Sequence, residues 1–209
     1  MKKYKDEVLV MSKDFYTTLK ARRSIYSISK EKVVPEGKIQ EIIETAVKHT
    51  PSAFNSQSAR VILLFGEQHD KLWDITKETL RKIVPENAFA PTEEKINSFK
   101  SGYGTVLFFE DESVIKGLQD QFALYKDNFP IWSHHSSGML QLFIWAGLEA
   151  EGLGATLQHY GSLIEQQVSQ EWNVPAAWKL IAQLPFGKPT AEPGAKEFKP
   201  LEERIKVFK

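Results

Sequence analysis

The chain has 209 residues, enough for one domain with a sizeable buried core, and a globular composition of 42% hydrophobic and 26% charged residues. Its 27 basic residues balance 27 acidic ones, so no global charge draws it to nucleic acid or to an anionic membrane. The absence of cysteine excludes disulfides, thiolate metal sites, iron–sulfur ligation and cysteine nucleophiles.

The amino end does not read as a secretory signal. Met1–Lys5 is basic, but the apolar run that follows, Val8–Met11, is far too short. Residues 1–11 read either as a flexible extension dispensable for folding or as an ambiguity of the start site. The longest apolar stretch, Gly138–Leu148 with Gln141 inside it, falls short of the roughly 18–20 residues that span a bilayer. A cytoplasmic protein is expected.

Ser12 can cap a short helix running to about Ala21, with Phe15, Tyr16 and Leu19 as its apolar positions. Pro35 and Glu36 suit the start of a second helix, in which Ile39, Ile42, Ile43, Ala46 and Val47 keep helical spacing until Pro51 blocks continuation. Val61–Phe65 reads as a buried strand, followed by a helix over about Glu67–Ile83. Thr105–Phe109, β-branched and aromatic, is a further strand. Ile131–Glu151 predicts a long helix, apolar nearly all round its middle and so expected to be buried on most sides. Ala155–Leu157 predicts a short strand, Ser162–Glu171 a helix and Trp178–Leu184 a closing strand. The tail carries Pro189, Pro193 and Pro200, and residues 186–209 are expected to form an extended arm. Together these elements suggest a single α+β domain, a small mixed sheet wrapped by helices.

Three polar motifs carry candidate chemistry. Arg22-Arg23-Ser24 follows the first helix, and two guanidiniums beside a hydroxyl match phosphate oxygens, although basic residues also favour helix carboxyl ends for electrostatic reasons alone. The loop Pro51-Ser52-Ala53-Phe54-Asn55-Ser56-Gln57 presents amide donors and acceptors suited to the polar edge of a flat heterocycle, and is equally a run of turn formers. Gly152-Leu153-Gly154 resembles the start of a dinucleotide fingerprint, but Leu157 occupies the third glycine position and a helix precedes it, so a Rossmann reading is rejected. The five histidines lack the i, i+4 spacing of a two-histidine metal site, and no metal is expected. Neither a Gly-x-Ser-x-Gly elbow nor a phosphate loop occurs. Trp132 and Trp145 read as core or subunit-contact residues.

In this order, Arg22-Arg23-Ser24, then Pro-Ser-x-x-Asn-x-Gln, a buried helix running into Gly-Leu-Gly, and Gly187-Lys188-Pro189 before a basic tail, the chain resembles the nitroreductase family of flavoproteins from about Asp14 to Arg204. Gln158-His159-Tyr160 after the glycine turn resembles the fatty-acid-repression-type subgroup. The resemblance implies an FMN-dependent nitroreductase-like fold in an interlocked homodimer with two FMN sites at its interface. Arg22, Arg23 and Ser24 would hold the phosphate and ribityl chain, Asn55 and Gln57 would read the ring or ribityl hydroxyls, and Leu157 and Gln158 would meet the isoalloxazine. Lys188 would add charge at the phosphate end, with Lys196, Lys199 and Arg204 as other candidates, and Ser52 would approach the flavin of the partner subunit. The implied activity is NAD(P)H-dependent reduction of nitroaromatic or quinone-type acceptors by a ping-pong hydride mechanism, with no side chain named as catalytic. Many family members follow the Gln with Pro-Trp; here Ser58-Ala59-Arg60 stands instead. That departure keeps open a flavin-binding regulatory or storage protein with little turnover. A helical interaction protein without cofactor leaves the ordered motifs unexplained.

Overall fold

The computed structural model describes residues 13–209; the reading of residues 1–11 and the Ser12 cap lie outside the described residues. In chain order the elements are α1 (Phe15–Ala21), β1 (Ile28–Ser29), α2 (Glu36–His49), β2 (Ala59–Phe65), α3 (Gly66–Arg81), α4 (Ala90–Lys100), β3 (Gly104–Asp111), α5 (Glu112–Gln121), α6 (Phe129–Ala150), β4 (Gly154–Ala155), α7 (Gly161–Trp172) and β5 (Trp178–Pro189).

The sheet runs β1-β5-β3-β2, with β4 also on β5. Its named strands all pair antiparallel, which corrects the expected mixed sheet; the one parallel contact is an isolated bridge between Ser24 and Ala155. Strands set apart along the chain by helices carry no signal of pairing direction; here β2 and β5 both lie beside β3 and run antiparallel to it. β3 is the centre: all eight residues are buried, and they alternate between two cores. Val106 and Phe108 join Ile39 and Ile43 of α2, Leu140 and Ile144 of α6 and Leu184 of β5. Leu107 and Phe109 face Leu72 and Trp73 of α3, Phe99 of α4 and Ile164 of α7. Burial of β3 on both faces by helices explains why it reads as a continuous apolar run. Each such fully buried side chain contributes about 1.5–3 kcal/mol. β2, expected to be buried, is only half-buried, with Leu64 its one buried residue.

Four elements differ from the sequence pattern. α4 and α5 were not announced, because the buried apolar positions are only Ile96 and Phe99 in the first and Ile115 in the second. β5 continues through Pro189, past the point where the extended arm was placed, because Phe186 pairs with Gly104 and Lys188 with Ser29. α6 buries one face and leaves Met139, Leu142 and Phe143 about 40% exposed, so one chain does not bury this helix on most sides. Apolarity all round a helix does not say which face finds a partner; packing does.

Candidate functional site

Asp14 caps α1 by accepting hydrogen bonds from the Tyr16 and Thr17 amides at 3.0 and 3.1 Å, and the short helix ends where the Arg22 N–H donates to Thr18 O. The chain then turns extended and docks on the glycine turn: Ser24 bridges Ala155, and the Ile25 amide donates to Ala155 O at 2.9 Å. The glycines are required for this approach. Gly152 has φ +81°, and a Cβ on Gly154 would stand 2.9 Å from Ile25 Cγ2. The motif after α1 and the motif after α6 are thus one local structure.

There the Arg22 guanidinium lies 4.3 Å from the centre of the Trp145 ring. Burial, and next the neighbouring charge of Arg23, pull its pKa below the ordinary value, while Glu149 works in the other direction. Glu149 already bonds Lys13 at 2.5 Å, so cations outnumber anions here. Arg23 donates to Gly194 O at 2.8 Å, which anchors the start of the tail. Lys188 pairs with Glu31 at 2.7 Å, an exposed pair on the β1–β5 edge. Gln158 exchanges backbone hydrogen bonds with Gln183, and its buried amide donates to Thr156 Oγ1 at 3.0 Å, so the side chain is turned inward. Leu157 is half-buried against the α2–α6 core. The Gln183 Nε2 beside them is buried without a partner.

The second group sits elsewhere. After α2 the loop turns so tightly that Phe54, Asn55 and Gln57 take positive φ of 55°, 52° and 49°. Side chains other than glycine pay about 1–2 kcal/mol each in that region. Ser52 Oγ accepts from the Gln57 amide at 3.0 Å, and Arg60 Nη1 donates to Gln57 O at 2.7 Å. Asn55 and Gln57 are exposed. Ser52, Gln57, Lys48, Arg60, Ser136 and Trp178 line a cavity of about 490 Å³. Next to it, Ser52, Phe54, Trp132 and His135 line another of about 450 Å³, and Phe54 stacks on Trp132 with centroids 6.2 Å apart and planes at 18°.

The two groups lie at opposite ends of the sheet. Ala59, which follows the loop, pairs with Glu110; Phe186, beside Gly187 and Lys188, pairs with Gly104 at the other end of β3. At about 3.3 Å per residue, the six steps from Gly104 to Glu110 span about 20 Å. The same separation appears on α6, where Phe54 packs against Trp132 and Arg22 against Trp145, about 20 Å along the helix axis at 1.5 Å per residue. One chain therefore brings Arg22, Arg23, Ser24 and Lys188 towards one end and Ser52, Asn55 and Gln57 to the other, while Leu157 and Gln158 lie between, Gln158 beside Gln183 opposite Leu107 at the middle of β3.

The structure adds residues that sequence reasoning missed. Ser58 donates to Glu110 Oε2 at 2.6 Å, and both are at most 2% exposed. Burial pushes the Glu110 carboxyl up to about 7; the Ser58 hydrogen bond and the Arg60 charge oppose this. Arg60 Nη2 bonds Asp111 Oδ2 at 3.0 Å and lies 5.6 Å from the centre of the Trp178 ring. Burial would raise Asp111, but hydrogen bonds from Ser113 and the Arg60 charge win and hold it low. The only sequence signal was the Ser58-Ala59-Arg60 departure; its partners stand some fifty residues away.

Residues 19–188 match the model of the nitroreductase family. The nitroreductase FRM2 of Saccharomyces cerevisiae is 34% identical over 193 residues, 88% of this chain and 93% of that protein. Nitroreductase CinD from Lactococcus lactis, solved in complex with nicotinic acid, superposes with TM-score 0.87 at 45% identity over 94% of this chain and 100% of that one. Its complex with 4-nitrophenol gives TM-score 0.85, also at 45% identity and the same coverage. No helix among the described residues is long and apolar enough to cross a membrane.

Proposed function

The chain belongs to the nitroreductase family of oxidoreductases, and we propose that it is an FMN-dependent NAD(P)H oxidoreductase acting on flat, electron-poor acceptors, nitroaromatics or quinones. The observation that carries the cofactor is the Arg22–Arg23 pair. Two guanidiniums repel each other beside a single carboxylate that Lys13 already occupies, which is the donor set a phosphate dianion satisfies. The fit extends to Ser24 and to the backbone exposed at the glycine turn, suited to the phosphate and ribityl chain, and to Leu157 and Gln158 alongside the ring. Lys188 adds a cation at the phosphate end.

A second copy completes the site in this reading. Ser52, Asn55 and Gln57 stand about 20 Å from the Lys188 end of the sheet in their own chain, so they can serve the same flavin only across a two-fold interface. The exposed apolar face of α6, Met139, Leu142 and Phe143, supplies surface for that contact.

When bound, FMN supplies the hydride relay between a nicotinamide donor and an oxidant that take turns at one face. The chain's own residues bind and orient: Arg22 and Arg23 neutralise phosphate, and the Ser52–Gln57 loop offers donors to the polar edge of the ring. No side chain is assigned as acid or base. CinD's complex with 4-nitrophenol supports a nitroaromatic acceptor, and its complex with nicotinic acid supports a nicotinamide donor.

The test is an absorbance spectrum of the purified protein, then anaerobic NADH or NADPH, then a nitroaromatic. Flavin bands that bleach with the nicotinamide and return with the acceptor support the cycle. A colourless protein that cannot be loaded with FMN sinks the reading. Bands that resist both nicotinamides favour a flavin-binding protein with little turnover.

A further inference from the structure

The Ser52–Gln57 loop does not hold its shape by local preference. Phe54, Asn55 and Gln57 all stand in the left-handed region, and a backbone there persists only when its surroundings impose it. What imposes it comes from three sides. Ser52 Oγ holds the Gln57 amide; the Phe54 ring is set among Phe122, Phe129 and Trp132; and the exit of the loop is fastened to β3. At that exit Arg60 grips the Gln57 and Ala59 carbonyls at 2.7 and 3.0 Å while its other nitrogen bonds Asp111 at 3.0 Å. One residue along, the buried Ser58 hydroxyl donates to the buried Glu110 at 2.6 Å.

We propose that Arg60 and Glu110 are positioning residues for the ligand-binding loop: they fasten Gln57 and Ser58 to β3 and thereby aim Ser52, Asn55 and Gln57 at the flavin. The proposal rests on the flavin reading above. It assigns a purpose to the Ser58-Ala59-Arg60 segment, where a proline would supply rigidity by covalent restraint and this chain supplies it through side chains.

The Glu110 latch also makes loop order respond to pH. A carboxylate accepts from Ser58 more strongly than the neutral acid does. Around Glu110 stand Arg60 on β2, Asp111 on β3, Lys179 on β5, Glu112 and Lys116 on α5 and His134 on α6. Of these, Arg60 favours the carboxylate and Asp111 opposes it, while burial keeps it protonated up to about pH 7.

The experiment titrates FMN into apo-protein and follows quenching of FMN fluorescence, at pH 6 and pH 8, for wild type, Arg60→Ala, Arg60→Lys, Ser58→Ala and Glu110→Gln. Wild type is expected to bind several-fold more tightly at pH 8. Glu110→Gln should lose that difference and keep the weaker value throughout. Arg60→Ala should weaken binding by about tenfold, as expected for a lost charged hydrogen bond, and Arg60→Lys should recover part of it. Should Arg60→Ala fail to fold, Ser58→Ala and Glu110→Gln, both near-isosteric, carry the test. Variants that bind like wild type, with the same pH response, overturn the positioning role and leave the flavin reading intact. Wild type that leaves FMN fluorescence unchanged overturns both.

Discussion

Arg22 places its guanidinium 4.3 Å from the centre of the Trp145 ring, tying the turn after α1 to the carboxyl half of α6. The contact fixes the side chain on a rigid surface, and among the described residues no hydrogen bond engages the guanidinium. Arg22→Ala should weaken FMN binding by ten- to a hundred-fold and change Trp145 emission, with a loss of about 1 kcal/mol in apo-protein stability. Binding that is unchanged while stability falls would reduce Arg22 to a packing residue.

Lys188 offers the contrasting case. Its pair with Glu31 is solvent-exposed on both sides, so Lys188→Ala should alter stability by less than about 1 kcal/mol. FMN affinity should nevertheless drop, and the drop should shrink at high salt. If affinity holds, the phosphate cation must be sought among Lys196, Lys199 and Arg204.

A site shared between two copies has a genetic signature. Arg22→Ala and Gln57→Ala each damage every site of their own homodimer. In a mixed dimer both lesions fall on one site and the other is intact. Co-refolding the two inactive variants should return about a quarter of the wild-type flavin sites, counted by absorbance. No recovery would mean that both groups act within one chain.

Two buried groups give opposing pH slopes. Glu110 is raised from 4.5 to about 7, so its contribution is complete below pH 4.5 and is lost as pH rises through about 7. His69 is lowered from 6.5 to about 4, mainly by burial, so its contribution is complete above pH 6.5 and is lost as pH falls through about 4. His69 Nε2 faces the Lys100 carbonyl at 3.2 Å and must donate; Nδ1 therefore accepts from Thr105 Oγ1 at 2.8 Å, which in turn accepts from Trp73. Each slope is worth roughly 3 kcal/mol and the two nearly cancel. Urea unfolding should find Glu110→Gln equal to wild type at pH 4.5 and roughly 3 kcal/mol more stable at pH 8. A constant difference across pH would refute the buried, raised carboxyl. The same variant gains stability and loses loop positioning, as expected where a site stores strain.

Much of the fold was legible because it depends on spacing along the chain. The apolar repeat of α2, the runs of β2 and β3 and the breaks at Pro51 and Gly152 are local facts, and local steric and solvation preferences turn them directly into elements. Arg22-Arg23-Ser24 and the Ser52–Gln57 loop stand out as candidates for the same reason: each is a run of adjacent polar residues. α4 and α5 were not legible, since a helix that buries one or two apolar side chains leaves no period to read.

What the tertiary structure alone decided concerns partners distant in sequence. Antiparallel register put Glu110 beneath Ser58 and Arg60 against Asp111, and no spacing in the chain announces a pair fifty residues apart. Register also set the two halves of the candidate site at opposite ends of β3. The titration of Glu110 and His69 belongs there too, because desolvation is a property of what surrounds a group in space and not of what flanks it in sequence.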